Sequence, residues 1–202
     1  MALKTTVIIN EITNLSDARY CAGMGVDYIG FRIDNEHDKY VDVANYNEIT
    51  NWISGIGLIG ETSGKSESKP EDYKIDQLLI DNIDQLAHYT GQPAIWSVPM
   101  VDLQNNISTL SDYQSKIVGI VITGEDSNLT ENHLAIIKDI ATRFDVYLSF
   151  GVRTDNVLNV IDELPIKGLA LKGSDEIRPG YKDYNELADI LELLEEEDSY
   201  YE

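Results

Sequence analysis

Ile117-Val118-Gly119-Ile120-Val121-Ile122 is a near-continuous apolar, β-branched run, and the pattern that follows it recurs along the chain. Residues 131–144 have a helical period, with Leu134, Ile137 and Ile140 on one face, and a second apolar run covers 146–149. A strand without polar alternation is covered on both faces, the condition of a parallel strand packed between helices. Working outward gives comparable runs at 6–9, 28–33, 56–59, 75–80, 94–98 and 167–171, mostly followed by amphipathic stretches. Eight such units in 202 residues suit an α/β fold of one domain, a small closed (β/α)8 barrel, better than an open sheet.

Local signals mark the helices. Asn14-Leu15-Ser16-Asp17 caps a predicted helix over 17–24, and Gly25 stands where a C-terminal glycine belongs. Thr154-Asp155-Asn156 opens a helix over 157–164, which Pro165 stops. Over 185–194, Leu187, Ile190, Leu191 and Leu194 form one stripe that closes the barrel wall. The stretch 60–70 is polar and Gly/Ser-rich, so it reads as a mobile loop, with only a short turn where the third helix belongs. The expected organisation is therefore a barrel over residues 1–194, degenerate after strand three, and an acidic tail over 195–202.

Composition narrows the partners. A formal charge of -21 repels phosphate backbones and anionic lipid, so neither nucleic acid nor membrane is expected. No apolar run reaches the roughly 20 residues of a membrane span. The opening stretch over 1–13 (MALKTTVIINEIT) lacks the parts of a secretory signal, so a cytoplasmic location is expected. Cys21 is the only cysteine, which excludes an internal disulfide, and its helical context reads as buried packing. His37, His88 and His133 lack the spacing of a metal-binding pair, so no metal is expected. Gly55, Gly57 and Gly60 spell a dinucleotide motif but run into a strand where that motif needs a strand-to-helix turn. No cofactor is expected either. Trp96 reads first as core packing and second as a stacking surface at the barrel mouth.

Four segments carry a family resemblance. Residues 12–20 (ITNLSDARY) and 22–31 (AGMGVDYIGF) resemble the opening strand, helix and second strand of phosphoribosylanthranilate isomerase, an enzyme of tryptophan biosynthesis. Asp155-Asn156-Val157 is similar to the start of that family's seventh helix, and Pro179-Gly180-Tyr181-Lys182-Asp183 to the lead into its last. The resemblance implies a barrel catalysing an Amadori rearrangement, which needs a general acid and a general base. The family's base is a cysteine, and its Lys-Ile-Cys-Gly-Ile-Thr becomes Ile8-Ile9-Asn10-Glu11-Ile12-Thr13, with Asn10 at that position. The acid position, an aspartate in the family, falls on Thr123, and its substrate-holding arginine on Lys39.

An amide cannot take a proton near neutrality, and a threonine hydroxyl is far too weak an acid to replace a carboxyl group. The phosphate cradle is altered as well. Phe150-Gly151 replaces a glycine pair, and Lys172-Gly173-Ser174 replaces Ser-Ser-Gly. The leading reading is a divergent barrel that binds a phosphorylated small molecule through Lys39, Gly151, Lys172, Gly173 and Ser174, the original catalysis lost or changed. A second is an active isomerase that uses Glu11 or Glu125 instead, and a third is a non-catalytic scaffold or regulatory barrel. Other ionisable residues near the strand ends are Arg32, Asp34, Glu61, Asp81 and Asp102. Strand alternation is expected to point Glu11 away from Asn10, and Glu125 and Asp126 to cap the helix after strand six. The sequence sets no oligomeric state.

Overall fold

Eight parallel strands close on themselves in chain order in the computed structural model, with β8 returning to β1. They are β1 (Thr6–Asn10), β2 (Tyr28–Arg32), β3 (Gly57–Thr62), β4 (Gln77–Ile80), β5 (Ala94–Pro99), β6 (Ile117–Thr123), β7 (Asp145–Leu148) and β8 (Gly168–Lys172). The closing register pairs Thr6 with Gly168 at one end and Asn10 with Lys172 at the other. The structure describes residues 2–63, 69–87, 91–106, 110–126, 128–173, 176–178, 181–182 and 185–196.

Strand alternation divides the side chains into two layers. Ile8, Ile59, Leu79, Ile95, Val121, Tyr147 and Ala170 pack together inside the barrel, with Tyr28 against them. A Cβ on Gly57 would lie 2.3 Å from the Tyr28 ring, so glycine is what admits that ring. Residues of the other parity, among them Ile9, Phe31, Ile80, Ile122 and Leu148, join the larger core that includes the helix residues. Each aliphatic side chain buried there contributes roughly 1.5–3 kcal/mol. Trp96 belongs to this outer layer and Cys21 is buried in it, so both are packing residues.

The helices are α1 (Leu15–Gly23), α2 (Val43–Thr50), α3 (Met100–Asn106), α4 (Glu131–Ile140), α5 (Val157–Glu163) and α6 (Asn185–Leu194). Asn14 caps α1 by accepting from Asp17 N–H, and Gly25 takes a φ of 73° beyond its end. The Asp42 carboxylate accepts from Ala44 and Asn45 N–H to start α2. The cap of α4 is Thr130, which closes a box with His133, so the expected capping by Glu125 or Asp126 is corrected. A hydroxyl immediately before the first helical residue reaches the exposed N–H groups that a carboxylate four residues earlier cannot.

Between β3 and β4 the described residues hold one 3-10 turn, Pro70–Asp72, in place of a helix. Tyr73 follows it and packs edge-on against Tyr46 of α2, whose ring meets Phe31 the same way, both at 5.1 Å. All three rings are buried in the outer core. The fourth connection is also short, with a 3-10 turn over Ile83–Ala87. The expected loop over 60–70 begins too early, because β3 runs through Glu61 to Thr62. Of the acidic tail, Glu195 bridges to Leu3 and Glu196 N–H donates to the Ala2 carbonyl at 2.9 Å, while 197–202 lie outside the described residues. No helix among the described residues is long and apolar enough to cross a membrane.

Candidate functional site

The inward parity that fills the barrel with Ile, Leu and Tyr turns polar at the C-terminal strand ends. Asn10, Arg32, Thr123 and Lys172 end four strands and Glu61 is the last residue but one of β3; they line one cavity of about 490 Å³, joined by Glu11, Asp81 and Ser149 just beyond strand ends and by Asp102 of α3. Barrel proteins carry their chemistry at this face, because the loops there can vary without disturbing the packed interior.

Arg32 is the hub. Its Nε lies 3.1 Å from Glu61 Oε2, its Nη1 3.0 Å from Asp81 Oδ2, and its Nη2 3.8 Å from Glu11 Oε1. The Glu61 carboxylate is 1% exposed and accepts from Glu11 N–H at 2.7 Å through Oε1. Burial pushes it up to about 7, against the pull of Arg32 and that N–H, while the Glu11 and Asp81 charges push the same way as burial. Neighbouring carboxylates hold the Arg32 guanidinium above its ordinary range despite burial. Glu11 goes the other way: burial raises it, but Lys39 Nζ at 2.9 Å and Lys172 Nζ at 3.2 Å together hold it below the ordinary carboxylate range.

Three buried polar atoms here have no hydrogen-bond partner among the described residues: Asn10 Oδ1, Arg32 Nε and Glu61 Oε2. The latter two face each other as an ion pair but are misaligned for a hydrogen bond. Gly30 makes this floor. A Cβ there would lie 2.1 Å from Glu61 Oε1 and 3.2 Å from Asn10 Oδ1. Gly30→Ala is therefore expected to displace Glu61 and lower stability by about 2 kcal/mol, measured by urea unfolding. A neutral result would mean that the carboxylate has room to move.

The sequence-derived positions separate on this map. Asn10, Glu11, Thr123 and Lys172 come together in the mouth, and Lys39 reaches its edge through Glu11. Glu11 does not point away from Asn10: β1 ends at Asn10, and Glu11 takes a φ of 62°, which breaks strand alternation. Glu125 lines a different cavity with Met100, Asp126, His133 and Phe150. Phe150 is buried against Gly124 and lies edge-on to His133 at 5.6 Å, and Gly151 holds a φ of 67°. Gly173 N–H donates to the Asn10 carbonyl at 3.2 Å, and Ser174 lies outside the described residues. Asp34 accepts from the Thr62 hydroxyl at 2.6 Å, outside the mouth lining. Among the described residues no group of three or more His, Cys, Asp or Glu could hold a metal. The sequence marks Arg32 and Glu61 only as ionisable residues near strand ends, open to a relocated acid–base pair. Their signal was parity, since each is the last inward position of its strand.

A closed parallel barrel with charged strand ends around a cavity defines a (β/α)8 protein with a polar mouth. Over most of its length the chain is similar to the phosphoribosylanthranilate isomerases, at low identity. It is 24% identical to the N-(5'-phosphoribosyl)anthranilate isomerase of Leptospira interrogans, over 89% of this chain and 90% of that one. To the enzyme of that name from Sulfurihydrogenibium it is 21% identical, over 93% and 98%. The solved phosphoribosyl anthranilate isomerase from Thermotoga maritima superposes with a TM-score of 0.72 at 19% identity, covering 93% of this chain and 97% of that one. No family model matches.

Proposed function

We propose that this barrel binds a phosphorylated small molecule in its mouth and that the family's Amadori isomerisation is lost or changed in it. One observation carries the reading. The residue aligned with the family's base, Asn10, sits 6% exposed at the floor of the cavity and presents an amide oxygen that accepts hydrogen bonds but takes no proton. Thr123, aligned with the acid, lines the same cavity with a hydroxyl. Glu11, held ionised between two ammonium groups, is a weak base, and Glu125 lies in another cavity. Lys39, Lys172 and Arg32 supply the positive charge that an anionic ligand needs.

A second reading, an isomerase whose acid–base group has moved, is favoured by Glu61. It is a cavity-lining carboxyl close to neutrality, beside Asn10. The test is loss of fluorescence from freshly generated phosphoribosylanthranilate on adding purified protein. No turnover above background is expected. Turnover that Glu61→Gln abolishes would defeat the proposal and assign proton transfer to Glu61.

A further inference from the structure

Glu11 holds a carboxylate among cations from a backbone position that disfavours any side chain. Among the described residues it is the only non-glycine at positive φ, a conformation that glycine adopts without steric cost. Glu61 fixes that backbone by accepting its N–H. From there Glu11 Oε2 receives Lys39 Nζ at 2.9 Å, and Oε1 receives Lys172 Nζ at 3.2 Å, with Arg32 Nη2 at 3.8 Å. Lys172 ends β8 and Arg32 ends β2, the two strands that flank β1, so the cations approach from both sides. In a chain with only 15 Lys and Arg against 36 Asp and Glu, three of the cations converge on one carboxylate at an open cavity.

Two ammonium groups within hydrogen-bond reach of the two oxygens of one anion form a receptor for a carboxylate or phosphate. We propose that Lys39 and Lys172 form a binding site for the phosphate or carboxylate group of a small-molecule ligand, and that Glu11 is its resident occupant, displaced when the ligand binds. The inference deepens the reading of the mouth as a site for a phosphorylated molecule and rests on it for the ligand. Displacement is open to Lys172 because its side chain is 63% exposed, so its ion pair competes with water already. Until a ligand arrives, the carboxylate screens the repulsion among the three cations, and it turns away anions too weak to replace it.

Calorimetric titration with inorganic phosphate, at low and high salt, decides the matter. Glu11→Gly suits the left-handed backbone and Glu11→Gln keeps the side-chain volume, so together they separate folding from charge. Both are expected to bind phosphate about 10-fold more tightly than the parent, with the gain screened by salt and abolished by adding Lys39→Ala or Lys172→Ala. Unchanged or weaker binding in the folded Glu11 variants, or a gain that survives loss of both lysines, would overturn the proposal. Titration with D-ribose 5-phosphate separates the two ideas. A parent that ignores it, while Glu11→Gly binds inorganic phosphate through the lysines, defeats the phosphorylated-ligand reading and upholds the resident anion.

Discussion

Arg32→Met is expected to lose about 3–5 kcal/mol of stability at pH 8 and clearly less at pH 5. Methionine keeps the length and apolar stem of the side chain, so the change isolates the guanidinium. That group is 13% exposed and meets Glu61, Asp81 and Glu11 within 3.8 Å. At pH 8 Glu61 is largely ionised in the parent, and without Arg32 its buried charge keeps, among the described residues, only the Glu11 N–H, set against the repulsion of Glu11 and Asp81. It must then take up a proton against the bulk pH or draw in water. At pH 5 Glu61 already carries its proton, so the variant forfeits only the contacts to Asp81 and Glu11, and Asp81 is 37% exposed. Exposed pairs of that kind contribute little, typically ~0–1 kcal/mol. Urea unfolding at the two pH values measures both losses. Equal losses would show that Arg32 acts by packing its stem and not by its charge.

The fold was legible because the signal for it is repeated. Residues such as Ile8, Ile59 and Val121 face inward while their neighbours face the helices, so each strand reads as an unbroken apolar run. The site was only half legible, for three physical reasons. Strand ends at a barrel mouth are polar, so Glu61 and Thr62 looked like the start of a loop although β3 contains them. The positive φ of Glu11 follows from its N–H bond to a carboxylate fifty positions away, and no local pattern announces such a bond. The meeting of Lys39 with Glu11 depends on the segment after β2 folding back, where Val41 N–H donates to the Arg32 carbonyl at 2.9 Å. Position alone, through the family resemblance, points to Asn10 and Thr123, and both line the cavity. It could not show that the charge there is organised around Arg32.

Glu61→Gln is expected to remove a pH dependence that runs against the usual direction for a carboxylate. An acid paired in the folded state normally adds stability as pH rises. Glu61 is raised from an ordinary 4.5 to about 7, so between those values the folded protein keeps a proton that the unfolded chain has released. Stability must therefore fall as pH rises through this window, reaching its full cost above about 7 and vanishing below about 4.5. The shift corresponds to about 3 kcal/mol, a large share of the 5–15 kcal/mol that holds a typical domain together. Glu11, held low, contributes with the opposite sign below its ordinary value, and parent and variant share that contribution with every other group. The quantity to read is thus the difference between parent and variant, in which those shared terms cancel. Urea unfolding at intervals from pH 4.5 to 8 should show the parent losing about 3 kcal/mol relative to Glu61→Gln. Parallel curves would mean that Arg32 outweighs burial and that Glu61 stays ionised throughout. A carboxyl in that state could not serve as a proton donor at neutral pH, and the moved acid–base reading of the mouth would lose its donor.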